Sequence, residues 1–311
     1  MRRFIYTALF MAFNVAAVAD PVNDLPAEPT QAMAFDYCDW VFNKGGDQAK
    51  LPDYKTLLDS KLTTLPPEEY VAMLLTDAGV RIATNAASFD TCKAPFEMGD
   101  KMFSKQIKAS TQDHQAQVSY KKSRKKHIAK TQAEIAELWI EDQSARRVFI
   151  NSRTEDEVGA EHWLRVRASA HTALVDEKST VFMKNLLEQY DWIDRRRFGD
   201  KISSGAWILV QHADNHVELQ SLALSRMEPY LKKWRGIDKG NYAYLWDRVA
   251  VNSDRKQRYG TQPTWECNEE NMLTLQPLED PENVNKRRKK MDLNTVEAGL
   301  ARMSRGVCGA P

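Results

Sequence analysis

Glycine motifs that cradle phosphate are missing from this sequence. Neither Gly-x-x-x-x-Gly-Lys-Ser/Thr nor Gly-x-Gly-x-x-Gly occurs, so no P-loop or Rossmann-type site is indicated. Gly-x-Ser-x-Gly is absent too, which removes the nucleophile elbow of α/β hydrolases. Cysteine is sparse, at four residues in 311. No Cys-x-x-Cys is among them, so neither a zinc ribbon nor a thioredoxin-type redox site is indicated. No residue pattern calls for a redox or nucleotide cofactor, and none is expected. Charge of one sign is lacking: 44 basic residues face 43 acidic ones, which leaves no overall footprint for nucleic acid. Strong period-2 alternation and internal repeats are lacking as well, so the expected fold class is mainly α.

Long apolar runs are confined to the beginning. Arg2 and Arg3 precede a largely apolar stretch from Phe4 to Ala16, and Ala17-Val18-Ala19 forms a small-x-small cleavage site. The stretch is shorter than the roughly 20 residues a spanning helix needs. Residues 1–19 therefore read as a signal peptide, and the mature chain as a soluble periplasmic or secreted protein with no membrane contact. Cleavage removes Arg2 and Arg3, leaving 42 basic against 43 acidic residues. In an oxidising compartment an even cysteine count points to two disulfides. Cys38–Cys92 and Cys267–Cys308 are the expected pairs, because each lies within one half of the chain.

Residues 20–30 carry three prolines and read as an extended leader. Gln31 to Asn43 has helical spacing, and a second helix is expected after Pro66-Pro67 with Tyr70, Met73, Leu74 and Val80 on one face. Residues 20–110 form a small N-terminal helical unit without a catalytic constellation. Residues 111–311 form a helical domain of packed amphipathic helices, with long loops carrying the polar motifs. Thr111 to Ser152 reads as one long helix, exposed in its first half. Asp176 reads as the cap of a helix that follows a charged connection carrying His162 and His171. The basic run Lys121 to Lys126 reads as a solvated stretch of helix, and Arg195-Arg196-Arg197 lies in a polar connection from Asp191 to Ser204.

The stretch Gly205 to His216 organises the second domain. Ala206 to Val210 are apolar on every side of a helix, and Gln211, His212 and Asp214 follow at once. A buried polar group without a partner costs on the order of 1–3 kcal/mol, so other segments must supply partners. Asp142, Gln143 and Arg146 lie on an amphipathic helix, with Asp142 and Arg146 at i, i+4. Asp247 and Arg248 interrupt a very apolar helix, and Gln257 to Pro263 reads as a recognition loop with Tyr259, Thr261 and Gln262. His212-x-x-x-His216 has the spacing of zinc helices, but Ala213 stands where the general-base Glu would be, so no metal is expected.

Laid end to end, these blocks resemble an uncharacterised bacterial family, a domain of unknown function. The pattern runs from Asp142-Gln143-x-x-Arg146 through Ala206-Trp207-Ile208-Leu209-Val210-Gln211-His212-Ala213-Asp214, then Gln220. Asp247-Arg248-Val249, Gln257-x-Tyr259-Gly260-Thr261-Gln262, Glu279-Asp280-Pro281 and Lys286-Arg287-Arg288 follow in order, spanning roughly residues 132–300. The resemblance implies a shared polar site and names no reaction.

Three readings of that site stand side by side. In an enzyme, His212 is a general acid or base held by Asp214, Asp142 or Asp247, with hydrolysis the reaction class. Arg146, Arg248 and Arg287 then bind an anionic group, and Tyr259, Thr261 and Gln262 orient the substrate. In a binding module, the same pocket holds a small polar or anionic ligand without turnover. In a structural protein, the charged pairs only specify the fold.

Overall fold

The computed structural model describes residues 25–53, 56 and 65–309. The expected signal peptide and the first residues of the leader lie outside them. Among the described residues, helix dominates, with one two-stranded sheet. No described helix is long and apolar enough to cross a membrane.

Two short helices, α1 (Pro29–Ala34) and α2 (Tyr37–Phe42), replace the single helix expected over 31–43. Asp36 breaks it, because its carboxylate caps the second helix by accepting from the Asp39 N–H. Helix α3 (Pro67–Thr84) starts at the proline pair as expected. Its buried stripe is Val71, Leu75, Ala78 and Ile82, while Met73 and Leu74 are only half-buried. Helix α4 (Phe89–Gln117) opens on a Ser88–Thr91 capping box and crosses residue 110 without a break.

The long helix expected over 111–152 is interrupted at 118–125, and α5 (Lys126–Asn151) starts afresh. The cause is Gln132. Its buried amide accepts from the Ser123 N–H and donates to the carbonyls of Lys121 and Phe198, holding the chain away from helix there. The first half of α5 is consequently inside, with Ile128 and Gln132 buried. Helix α6 (Ala160–Gln189) is continuous, so Asp176 lies in mid-helix rather than at a cap.

Helix α7 (Arg195–Phe198) leads into α8 (Asp200–Gln211), α9 (Val217–Met227) and α10 (Lys239–Val251). Strands β1 (Pro263–Cys267) and β2 (Leu273–Leu275) pair antiparallel, and α11 (Val284–Lys290) and α12 (Val296–Val307) close the described chain. Thr295 caps the last helix by accepting from the Ala298 N–H.

Helix α6 is the shared wall of the molecule. Trp163, Val166 and Ala170 from its first half join the core built by α1 to α4. Met183, Leu186 and Leu187 from its second half join a core with α5, α8, α9 and α10. Both expected disulfides form, Cys38–Cys92 and Cys267–Cys308. The first ties α2 to α4 across 54 residues of chain. Replacing Cys38 and Cys92 together by serine should lower the unfolding free energy by about 2–5 kcal/mol, read from urea denaturation.

Candidate functional site

Helix α8 is buried to its end: Ala206, Leu209, Val210 and Gln211 are all inside. Its last turn leaves His212 as the C-terminal cap, followed by a tight turn in which Ala213 N–H bonds the Val210 carbonyl and His216 N–H the Ala213 carbonyl. His212 therefore emerges between the end of α8 and the facing sides of α5 and α6.

Asp142 of α5 meets it there. The Asp142 side chain is 1% exposed, with Oδ1 2.8 Å from His212 Nδ1 and 3.1 Å from Arg146 Nε. Oδ2 accepts from Gln143 Nε2 at 2.7 Å. Arg146 Nε also lies 2.8 Å from His212 Nδ1, and Nη2 donates to Asp176 Oδ1 of α6 at 2.6 Å. Burial by itself would raise the Asp142 carboxyl. The His212 hydrogen bond and the charges of His212 and Arg146 outweigh it and hold the group below its ordinary value. Asp176 goes the other way: burial pushes its carboxyl up to about 7, against the pull of Arg146 and with the repulsion of Asp142.

A cavity of about 380 Å³ opens beside this cluster, lined by Arg146, Asp176, Thr180, His212, Asp214 and residues around them. His212 Nε2 and Arg146 Nη1 make no hydrogen bond to any described residue. The Thr180 hydroxyl, fully buried on the cavity wall, has no hydrogen-bond partner among the described residues either.

The remaining expected site residues divide into two groups. On the cavity rim, Asp214 accepts from Arg248 Nη1 at 2.8 Å, from Gln220 at 3.2 Å and from Asn252 at 3.3 Å. Gln211, with its amide oxygen toward Arg248, accepts from Nε at 2.6 Å and from Nη2 at 3.2 Å. Asp214 thus belongs with Arg248, not with the imidazole.

Asp247, Tyr259, Thr261, Gln262 and Arg287 lie elsewhere and do not line the cavity. The fully buried Asp247 carboxylate accepts from the backbone N–H groups of Arg258, Tyr259 and Thr261 and from the Thr261 hydroxyl. Gln262 N–H donates to Gln257 Oε1, and Arg287 donates to the Arg258 carbonyl and to Asp280. Arg288 holds the carbonyls of Tyr259 and Gly260, where Gly260 takes a left-handed φ of 64°. The expected recognition loop spends these polar groups on its own shape.

Over residues 130–305 the chain matches the model described as a family of unknown function, DUF6624. The chain belongs to this family. No curated protein and no solved structure matches it. The DUF6624 segment contains the His212 cluster, its rim and the Asp247 loop, whereas the Cys38–Cys92 staple precedes it.

His212 and His216 do not share a helix, since one ends α8 and the other caps α9. The His216 ring lies between Glu177, at 2.9 Å, and Glu218, at 3.3 Å. A zinc-helix arrangement is therefore not built. Asp142, Asp176 and His212 do bring ligand-type atoms within 4.8 Å of one another, but Arg146 is hydrogen-bonded to both carboxylates, lies 2.8 Å from His212 Nδ1 and already supplies positive charge there. Asp176 and Thr180 were missed by sequence reasoning. Their signal is faint: Ser169, Thr172, Ala173, Asp176 and Thr180 are small or polar residues at helical spacing, facing the cavity from α6.

Two outcomes follow from these carboxylates. Asp247→Ala strands the buried N–H groups of Tyr259 and Thr261 and the half-buried one of Arg258, and should cost about 3–5 kcal/mol in urea unfolding. Asp176 has a folded value raised above its unfolded value of 3.8, so it favours the fold most below pH 4 and loses that contribution as pH rises toward 7. Asp176→Asn should flatten the fall in melting temperature between pH 4 and 7, and an unchanged slope would refute the assignment.

Proposed function

We propose that the His212 cavity is an acid–base site for a small polar or anionic substrate, with hydrolysis as the reaction class. The observation that carries this reading is the buried Asp142 carboxylate fixed on His212 Nδ1, with Nε2 left for the cavity. With Nδ1 protonated toward Asp142 Oδ1, and the Arg146 Nε–H turned to that same oxygen rather than to Nδ1, His212 takes a proton at Nε2 from water or a substrate hydroxyl. Asp142 then stabilises the imidazolium. Asp176, poised near neutrality, stays partly protonated and donates to the leaving group. Arg146 holds both carboxyls and offers Nη1 to an anionic oxygen.

We place the protein in an exported, oxidising compartment, supported by the N-terminal sequence pattern and by the two disulfides. The non-catalytic alternative keeps the same residues: Arg146 and His212 would hold a ligand that is not turned over.

A panel of p-nitrophenyl acetate, phosphate and glycoside substrates tests the catalytic reading. Turnover of one class should fall about 10²- to 10⁴-fold in His212→Gln. The pH profile should lose activity above about 7, where Asp176 gives up its proton. Wild-type rates in His212→Gln, or no turnover by the wild type, would sink it. Binding of the same compounds without turnover would leave the binding-module reading.

A further inference from the structure

A second cleft, of about 970 Å³, lies at the start of α5 and shares no lining residue with the His212 cavity. Its walls bring together basic residues from three separated stretches: Arg124 and Lys125, Arg196 and Arg197, and Lys233. Neither basic run suggested a site when read alone: Lys121 to Lys126 has the look of a solvated stretch, and Arg195-Arg196-Arg197 that of a polar connection.

The juxtaposition is built rather than incidental. Gln132, 2% exposed, accepts from the Ser123 N–H at 2.8 Å and donates to the Phe198 carbonyl at 2.8 Å, clamping the loop before α5 onto α7. The third stretch is pinned by the Arg195 N–H, which bonds the Gly236 carbonyl at 2.9 Å. A fold that spends a buried amide on holding like charges together works against their repulsion.

The charges are unequally compensated. Arg197 is tied to the single carboxylate of the cleft, Asp194, and Lys233 rests over the Tyr230 ring at 3.8 Å. Arg124, Lys125 and Arg196 are exposed and have no acidic partner among the described residues. On the rim stands Trp234, 77% exposed, the most exposed large apolar side chain described. Arg197 and Lys233 lie over Tyr190 and Tyr230, and Arg235 lies 6.0 Å from the Trp234 ring centroid, but at 77% exposure the indole keeps the most open aromatic surface in the cleft for a ligand ring.

We propose that this cleft binds a small polyanion carrying one flat ring, the class to which nucleoside di- and triphosphates belong. Several cations spread over three stretches suit several anionic groups rather than one. One largely exposed indole suits one ring, by stacking. The absence of a P-loop fits a site made of side chains rather than of backbone N–H groups. The proposal does not depend on the reading of the His212 cavity.

Calorimetric titration of the full-length protein with ATP, tripolyphosphate and adenosine tests it. ATP should bind most tightly, tripolyphosphate more weakly and adenosine least, with affinity for the two anions falling as salt rises. The Arg124→Ala/Arg196→Ala double variant should weaken both anions about ten-fold or more. Trp234→Ala should weaken ATP about five-fold and leave tripolyphosphate unchanged. These are exposed positions, and unchanged circular dichroism confirms folding. No ATP binding at low salt, or binding indifferent to the double arginine variant, overturns the site. Tripolyphosphate binding as tightly as ATP overturns the role of the ring.

Discussion

A carboxylate with 1% of its side chain exposed has to find donors, and Asp142 finds three. Removing such a charge from water is strongly unfavourable unless hydrogen bonds and opposite charge replace the lost solvation. Gln143 and Arg146 come from its own helix, whereas His212 comes from the end of α8, 70 residues later. Satisfying this one group therefore fixes how α5 and α8 approach each other. It also aims the imidazole, since Nδ1 is committed inward. Arg146 extends the constraint to α6 through Asp176.

The two carboxylates beside Arg146 show how environment separates like groups. Asp142 collects donors on both oxygens and stays charged. Asp176 shares the same guanidinium, faces a second acid, and is pushed up to about 7. A pair of acids with displaced titrations next to an imidazole is the kind of arrangement proton transfer requires. Asp247 is a counter-example within the same chain. It is just as buried, yet its acceptor capacity is filled by the loop 258–261, so it shapes backbone instead of facing a cavity.

Much of the fold was legible in order along the chain. The proline pair before α3, the apolar stripe of α5 and the pairing of the four cysteines all follow from local rules. Breaks imposed from a distance were not legible. The interruption at 118–125 depends on Gln132 reaching Ser123 and Phe198, a contact that no periodicity encodes. The continuity of α6 through Asp176 was hidden for a related reason. Its polar face is turned to a cavity and its apolar residues serve two cores, so no single amphipathic stripe runs its length.

The sequence by itself determined a mainly helical chain, two disulfides and a set of polar blocks too costly to bury without partners. Tertiary structure alone decided which blocks meet. His212 took Asp142 rather than Asp214 or Asp247. Asp176 joined from the middle of α6 rather than from a helix start, and the Tyr259–Gln262 loop closed on itself. The physical reason is one of range. Helical spacing fixes neighbours three and four residues apart, whereas the partner of a buried charge is set by which faces of distant helices come together once the apolar stripes are covered.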